Sequence, residues 1–463
     1  MLRVEAAPHK TAVLVGDNSV RYAELASMAS GLADRLPDVP SGSLRRVFVR
    51  QREPFSILVH VLACWSRGFV PVVLRDGMTD QQIIEYQAWL RPAATLSDPL
   101  PVNEAPAAPL STLRAEPTFA AQDEALVICT SGTTGAPKFV ALPARSVCIN
   151  AATIIEALGL EADDKVAVNT PLGYTYGLIG GCVAAVWAGA TCCLFSPRDP
   201  LTQLQAAIRL QGITVVQGPP TLFRLFMAYW NGTPFPGVRV LTVGGEPLQK
   251  ELAEALGAAF PNARRLFIYG MSEAGPRISH ETFEAGGSVD GCVGRPYAHF
   301  EWRIDPIETE SVGDVGRLVL RGPSMFLGYI TADGGYEGLD QDGFFHSSDL
   351  VSVDSIGRLY FRGRLDRMFK SSGKIVNPEA VERVICMHPA VEEAYCFAEP
   401  HPMLGLAPAV EIVPKSGAAI DPADILRLAS AHLEPHALPR RIASVSRLEP
   451  AESGKQRRGV SRI

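Results

Sequence analysis

The sequence predicts an α/β fold, and three features of its patterning predict it. Short β-prone runs alternate with helical patterns along most of the chain. The pattern then shifts to closely spaced strands and turns, and near the end to a mixture of strands and helices. In order, residues 46–50 read as a strand, 55–66 as an amphipathic helix and 70–74 as a second strand. The rhythm returns with a strand at 165–168, a helix at 183–188, a strand at 191–195, a helix at 201–210 and a strand at 214–216. Strands separated by helices imply parallel sheets covered on both faces. Residues 97–124, rich in Pro and Ala, read as a surface connection. From Glu301 the short strands 302–304, 316–320 and 359–361 imply a β-rich subdomain. After Asp366 come a helix at 378–387, strands at 394–398 and 409–413, and a helix at 422–433. The expectation is a large N-terminal domain, 1–365, of two parallel-type α/β sheets plus the β-rich subdomain, followed by a small α+β domain, 366–463. A chain of 463 residues is long enough for both.

Composition narrows the classes of function. With 47% hydrophobic and 20% charged residues the chain has the balance of a soluble globular protein rather than a disordered one. A net charge of -6 speaks against a dedicated nucleic-acid binder. The basic tip Lys455-Gln456-Arg457-Arg458 is too short for a nucleic-acid arm. The nine cysteines are dispersed, with no C-x-x-C and no zinc-type Cys/His spacing, which fits reduced core residues in a cytosol. Met1-Leu2-Arg3-Val4-Glu5 has no apolar signal core. The longest apolar stretch, 178–195, grazes the lower limit for a membrane span. Gly189 interrupts it before a β-prone run, so it reads as a buried helix followed by a buried strand. A soluble cytoplasmic protein with no membrane contact is expected. No G-x-G-x-x-G opens a helix after a strand, which argues against a dinucleotide-binding redox enzyme.

The most informative segment is Thr130-Ser131-Gly132-Thr133-Thr134-Gly135-Ala136-Pro137-Lys138, after an apolar strand at 125–129. Gly, Ser and Thr together let backbone N–H groups and hydroxyls converge on phosphate oxygens without obstruction by Cβ atoms. Lys138 adds a point charge. The segment is not a Walker loop, because Phe139 follows the lysine.

This string resembles the phosphate-binding signature of the superfamily of acyl-CoA synthetases, peptide-synthetase adenylation domains and luciferases, with Phe139 where that family usually has Gly. Further matches follow in the family's order. Tyr269-Gly270-Met271-Ser272-Glu273 resembles its tyrosine-glycine-x-threonine-glutamate motif, with Ser272 a conservative departure. Gly343-Phe344-Phe345-His346-Ser347-Ser348-Asp349-Leu350 resembles the segment ending in a ribose-binding aspartate, with Ser348 in place of the customary Gly. Gly363-Arg364-Leu365-Asp366 and Phe369-Lys370-Ser371-Ser372-Gly373 resemble the hinge motif, and Ser453-Gly454-Lys455 the segment that carries the catalytic lysine. The resemblance runs from about Thr11 to the last residues.

The resemblance implies ATP-dependent activation of a carboxylic acid to an acyl-adenylate, then transfer to a pantetheine thiol of coenzyme A or a phosphopantetheinyl carrier protein. A carboxylate is a poor electrophile, and its attack on the α-phosphorus builds negative charge that positioned cations stabilise. In this reading Thr130, Ser131, Gly132, Thr133, Thr134, Gly135 and Lys138 hold the β- and γ-phosphates. Ser272 contacts the α-phosphate, and Glu273 is a ligand for Mg²⁺. Asp349 accepts from the ribose hydroxyls, with Arg364 and Lys370 near the nucleotide. Gly244, Gly245, Glu246, Tyr269, Gly270 and Met271 border the adenine and acyl site. Lys455 bridges the acyl carboxylate and the phosphate, and Asp366 is the hinge of a mobile small domain. His346 and His299 read as structural.

Pro171-Leu172-Gly173-Tyr174-Thr175-Tyr176-Gly177-Leu178 resembles a stretch that in many acyl and aryl ligases carries a histidine where Tyr174 stands. No acidic residue lies between Asp164 and Asp199 to pair with an amino-acid substrate's amine. Tyr174, Tyr176 and Gly177, with Gly245 and Gly270, suggest a flat, partly aromatic slot. An aryl acid is favoured, with a medium-length acyl chain second and an amino acid third. A non-catalytic nucleotide-binding homologue is the alternative of a different class. Lys455→Ala is expected to leave folding and ATP binding intact while lowering acid-dependent ATP–pyrophosphate exchange by about 10²-fold or more. Near-normal exchange would remove Lys455 from the reaction.

Overall fold

A computed structural model of the chain describes residues 7–40, 44–76, 78–102, 119–120, 122–130, 138–196, 198–284, 291–307 and 315–448. Contacts divide the chain into two compact units, Met1–Glu301 with Arg321–Phe344, and Trp302–Leu320 with Phe345–Ile463.

The first unit holds two sheets. In one, strands lie side by side in the order Cys292–Pro296, Ser279–Thr282, Arg264–Tyr269, Val240–Gly244, Val215–Gly218, Lys165–Val168, Thr191–Leu194, Thr11–Val15 and Asn18–Arg21. The run from Arg264–Tyr269 to Thr11–Val15 is parallel. Its central members are buried almost throughout, as strands covered on both faces must be. The outer strands are antiparallel, a feature the helix–strand alternation did not disclose.

The second sheet has seven strands, in the order Tyr336–Glu337, Gly328–Ile330, Lys138–Pro143, Glu124–Thr130, Val70–Val73, Arg46–Val49 and Ala94–Leu96. Phe139, fully buried, meets Tyr86 and Trp89 of the helix Asp80–Leu90 edge-on, with ring centroids 4.9 and 5.1 Å apart. The residue that departs from the family's glycine is therefore a core anchor. Arg46, 1% exposed, donates to both Glu124 oxygens at 2.7 and 2.8 Å, and the Tyr336 hydroxyl adds a third bond at 2.8 Å. A paired carboxylate is what a buried cation requires, although Arg46 Nη1 is left without a partner.

Two helices differ from expectation. Pro54–Ser66 is buried on nearly every face rather than amphipathic. It lies between the helix Tyr22–Ala33 and strands of the second sheet, and even His60 is 1% exposed. The helix expected at 183–188 begins earlier, at Thr175, and passes through a wide π-turn at Leu178–Val183 before Gly189 ends it at φ 78°. The apolar run from 178 reads as a buried helix in the sequence; the structure adds the turn Thr175–Gly177 before it. No helix among the described residues is long and apolar enough to cross a membrane.

In the second unit, Glu301–Pro306, Gly316–Arg321, Phe345–Val353 and Leu359–Arg364 lie side by side. A five-stranded sheet contains Lys374–Val376, Phe369–Ser371, Gly405–Pro414 and Val391–His401, with Arg441–Ser444 parallel to Gly405–Pro414. The helices Pro378–Cys386 and Pro422–His432 close its core through Val381, Ile385 and Ile425. Arg367, with partners Glu379 at 3.0 Å and Glu382 at 2.7 Å, ties the turn at Leu365–Arg367 to that first helix. The long hairpin exceeds its apolar segments because ladder hydrogen bonds carry it through Glu399 and His401.

Burial holds the pKa of His60 down to about 4; for His280, burial and then the cations Arg277 and Arg264 do the same, to about 4. The unfolded chain protonates both near roughly 6.5. Between these values the unfolded state binds more protons, so stability rises with pH. The fold is expected to lose stability as pH falls from about 6.5 towards 4. His60→Leu should narrow the difference between urea midpoints at about pH 7 and about pH 5. An unchanged difference would show that His60 does not contribute to it.

Candidate active site

In the first unit the carboxyl ends of the parallel strands carry the turns of interest, the edge at which open α/β sheets bind ligands. Gly244 ends one strand and sits opposite Ile268, where a Cβ would lie 2.7 Å from the Ile268 carbonyl oxygen. Tyr269 ends the next. At Gly270 a Cβ would overlap the Pro276 carbonyl oxygen, so only glycine fits. Met271 is extended at φ −147° and leads into the short turn Ser272–Ala274. Ser272 Oγ lies 3.4 Å from Thr175 Oγ1.

Glu273 on this turn is half-buried. The Tyr329 hydroxyl donates to its Oε1 at 2.6 Å, and its backbone carbonyl accepts from Phe326 N–H at 2.8 Å. The same Tyr329 ring carries Lys138 Nζ on its face, 4.4 Å from the centroid. Lys138 and Thr130 are cross-strand partners, and Thr130 Oγ1 donates to the Lys138 carbonyl at 3.3 Å. The ends of the phosphate-type loop are thus held together. Ser131, Gly132, Thr133, Thr134 and Gly135 lie outside the described residues, as does Lys455.

Glu246 reaches the N-terminus of the helix Pro220–Ala228. Its Oε2 accepts from Thr221 N–H at 3.1 Å and from Thr221 Oγ1 at 2.6 Å, with Arg224 at 3.8 Å. A carboxylate is favoured there by the helix dipole. Gly245, exposed, turns the chain at φ 90°. Gly177 has no room for a side chain, since a Cβ would lie 2.6 Å from the carbonyl oxygens of both Thr170 and Pro171. The Tyr176 hydroxyl meets Thr242 Oγ1 at 3.1 Å, and burial raises its pKa. The Tyr174 hydroxyl has Arg75 as its hydrogen-bond partner. The two tyrosines therefore reach different partners.

In the second unit Asp349 and Arg364 are directly opposed on adjacent strands. Arg364 Nη1 donates to Asp349 Oδ1 at 2.8 Å, while Nε and Nη2 grip the Asp366 carboxylate at 2.9 and 2.7 Å. Asp349 is 5% exposed. Asp366 lies on the turn Leu365–Arg367, and Lys370 is exposed on the strand Phe369–Ser371. His346, read as structural, lies 3.6 Å from Asp305.

Sequence reasoning missed Tyr329, Thr175, Asn169, Gln217 and Arg277. The last three are buried, with side-chain nitrogens or oxygens that lack a hydrogen-bond partner. Their signal was available: each is a long polar residue at the end of an apolar run, as in Val168-Asn169, Val216-Gln217 and Pro276-Arg277-Ile278.

Residues 83–330 match the model of the AMP-binding enzyme family, and 380–455 match that of the AMP-binding enzyme C-terminal domain. A feruloyl-CoA synthase of Amycolatopsis sp is 28% identical over 99% of this chain and 97% of its own. A 3-[(3aS,4S,7aS)-7a-methyl-1,5-dioxo-octahydro-1H-inden-4-yl]propanoyl:CoA ligase of Mycobacterium tuberculosis is 30% identical over 73% of this chain and 65% of its own. ATP-bound MatB from Rhodopseudomonas palustris shares the fold with TM-score 0.83 and 23% identity over 97% of this chain and 94% of that one. The chain belongs to the AMP-binding enzyme family. It is an AMP-forming acid–thiol ligase.

Proposed function

We propose that this ligase activates an aryl carboxylic acid as its acyl-adenylate and transfers the acyl group to the thiol of coenzyme A. The observation that carries the reading is the Lys138–Tyr329–Glu273 constellation, which sets a cation and a carboxylate on one tyrosine beside the phosphate-type loop. A half-buried carboxylate with the rest of its surroundings left to phosphates and water suits Mg²⁺. Among the described residues no group of three or more His, Cys, Asp or Glu is gathered to hold a metal on protein ligands alone. Bound there, Mg²⁺ would neutralise developing phosphoryl charge.

The chain's own residues then divide the work. Ser131, Thr133, Thr134 and Lys138 hold the β- and γ-phosphates, and Ser272 the α-phosphate. Asp349, held by Arg364, accepts from the ribose hydroxyls. Gly244, Gly245, Tyr269, Gly270 and Met271 form backbone walls at the adenine and acyl groups, and Glu246 fixes that wall through Thr221. A carboxylate oxygen attacks the α-phosphorus, the bond to the bridging oxygen breaks and pyrophosphate leaves, with Lys455 offsetting charge at the new bond. Thiolate sulfur then attacks the acyl carbon, and AMP leaves with the carboxylate-derived oxygen. Asp366, gripped by Arg364, is the proposed hinge between the two steps. Tyr176 and Gly177 are assigned to the acyl slot, and the likeness to a feruloyl-CoA synthase supports an aromatic acid. All nine cysteines are unpaired, which supports a reducing cytoplasm.

The test is AMP and thioester formation across a panel of aryl, alkyl and amino acids, with coenzyme A and with a holo carrier protein in parallel arms. Aryl thioesters of coenzyme A are expected; preference for alkyl acids or transfer to the carrier alone would overturn those parts. Glu273→Gln should raise the Mg²⁺ concentration for half-maximal adenylation several-fold with little change in melting temperature. An unchanged Mg²⁺ dependence would return Glu273 to a structural role.

A further inference from the structure

We propose that the acid this ligase takes carries a second anionic group, and that Arg277 pairs with it at the far end of the acyl slot. The inference rests on the acid-activating reading above and names its substrate class. Arg277 is 1% exposed, and among the described residues the one side chain that reaches its guanidinium is the Tyr297 hydroxyl, too loosely placed to satisfy Nε, Nη1 and Nη2. No carboxylate among the described residues forms an ion pair with it. A buried cation without a counter-ion is strongly disfavoured, and its guanidinium cannot shed the proton as a lysine could. Arg46 shows how the same fold treats a buried arginine that serves structure, with both oxygens of Glu124 closed on it.

The groups that feel the Arg277 charge are neutral. Burial, then Arg277 and Arg264, hold His280 at about 4, so it is uncharged near neutrality. The Tyr297 hydroxyl lies 3.0 Å from His280 Nδ1, and the Tyr176 hydroxyl 3.1 Å from Thr242. Burial keeps both phenols protonated. Two unpartnered side chains, Gln217 and Asn169, with both amide atoms buried and unbonded, end adjacent parallel strands beside Tyr176. Gly181 in the π-turn leaves room for Gln217; a Cβ there would come 2.5 Å from Nε2. Arginine and two amides thus stand around Tyr176, and their donors are complementary to a carboxylate.

The reacting carboxylate is a poor occupant, because a guanidinium clamped on it would quench its attack on phosphorus. The phosphates are a poor occupant too, since the groups assigned to them, Lys138 and Glu273, gather on Tyr329, whereas the groups that feel Arg277 are Tyr176, His280 and Tyr297.

The experiment compares matched acids that differ by one distal carboxylate, such as benzoate with its 3- and 4-carboxy derivatives and butyrate with glutarate. AMP formation is measured with ATP and coenzyme A for the full chain. The wild type is expected to favour the diacid in at least one pair by about 10-fold or more in kcat/KM. In Arg277→Met the diacid-to-monoacid ratio should fall by about 10²-fold, with Arg277→Lys between them. ATP affinity should be unchanged and the melting temperature of Arg277→Met equal or higher. Monoacid activity with no gain from a second carboxylate overturns this inference alone. A lower melting temperature with equal loss on both members makes Arg277 structural, and weakened ATP binding makes it a phosphate contact; either overturns the proposal. A wild type that forms no AMP with any acid overturns the ligase reading as well.

Discussion

The hydrogen bond from the Tyr329 hydroxyl to Glu273, 2.6 Å long, is the interaction on which the site depends. It joins a turn at the end of one sheet to an outer strand of the other. The same tyrosine offers its face to Lys138, so one ring fixes the distance between a cation and a carboxylate that belong to different sheets. Neither charge neutralises the other directly. Both remain available to a third, highly charged partner, which is the arrangement phosphoryl chemistry needs.

Around that tie the backbone leaves space where side chains would intrude. Gly270 and Gly244 allow neighbouring segments to approach closely, and Gly177 does so under the tyrosines. Polar groups then follow two rules. Structural cations are paired with carboxylates, as with Arg46, Glu124 and Tyr336, or Arg367 with Glu379 and Glu382. At the strand ends the Asn169 and Gln217 amides are unpartnered, and Arg277 has no carboxylate. Low dielectric makes an open group costly, which is the ground for assigning Arg277 an outside partner.

Much of this was legible in the sequence. Apolar runs such as Val70–Val73 and Thr191–Leu194 are strands because β-branched and apolar residues on both faces suit a covered sheet. The Glu273 turn and the Asp349 and Arg364 segments stood out as motifs because such chemistry restricts residue type at fixed spacing, while the pairing of Asp349 with Arg364 came only from the strand register. The antiparallel outer strands were not legible, since edges are set by pairing rather than by local pattern. Tyr329 and Arg277 were missed for another reason: their roles come from what faces them, and Glu273 and Tyr176 lie 56 and 101 positions away in the chain.

The central claim is that the acid's own oxygen becomes bonded to the α-phosphorus of ATP. Isotope transfer tests this most directly. An accepted acid labelled with ¹⁸O in its carboxylate is turned over with ATP and coenzyme A, and the nucleotide and phosphate products are weighed by mass spectrometry. The account predicts one ¹⁸O in each AMP and none in pyrophosphate. Label in inorganic phosphate with ADP as product, or unlabelled AMP alongside the thioester, would contradict it.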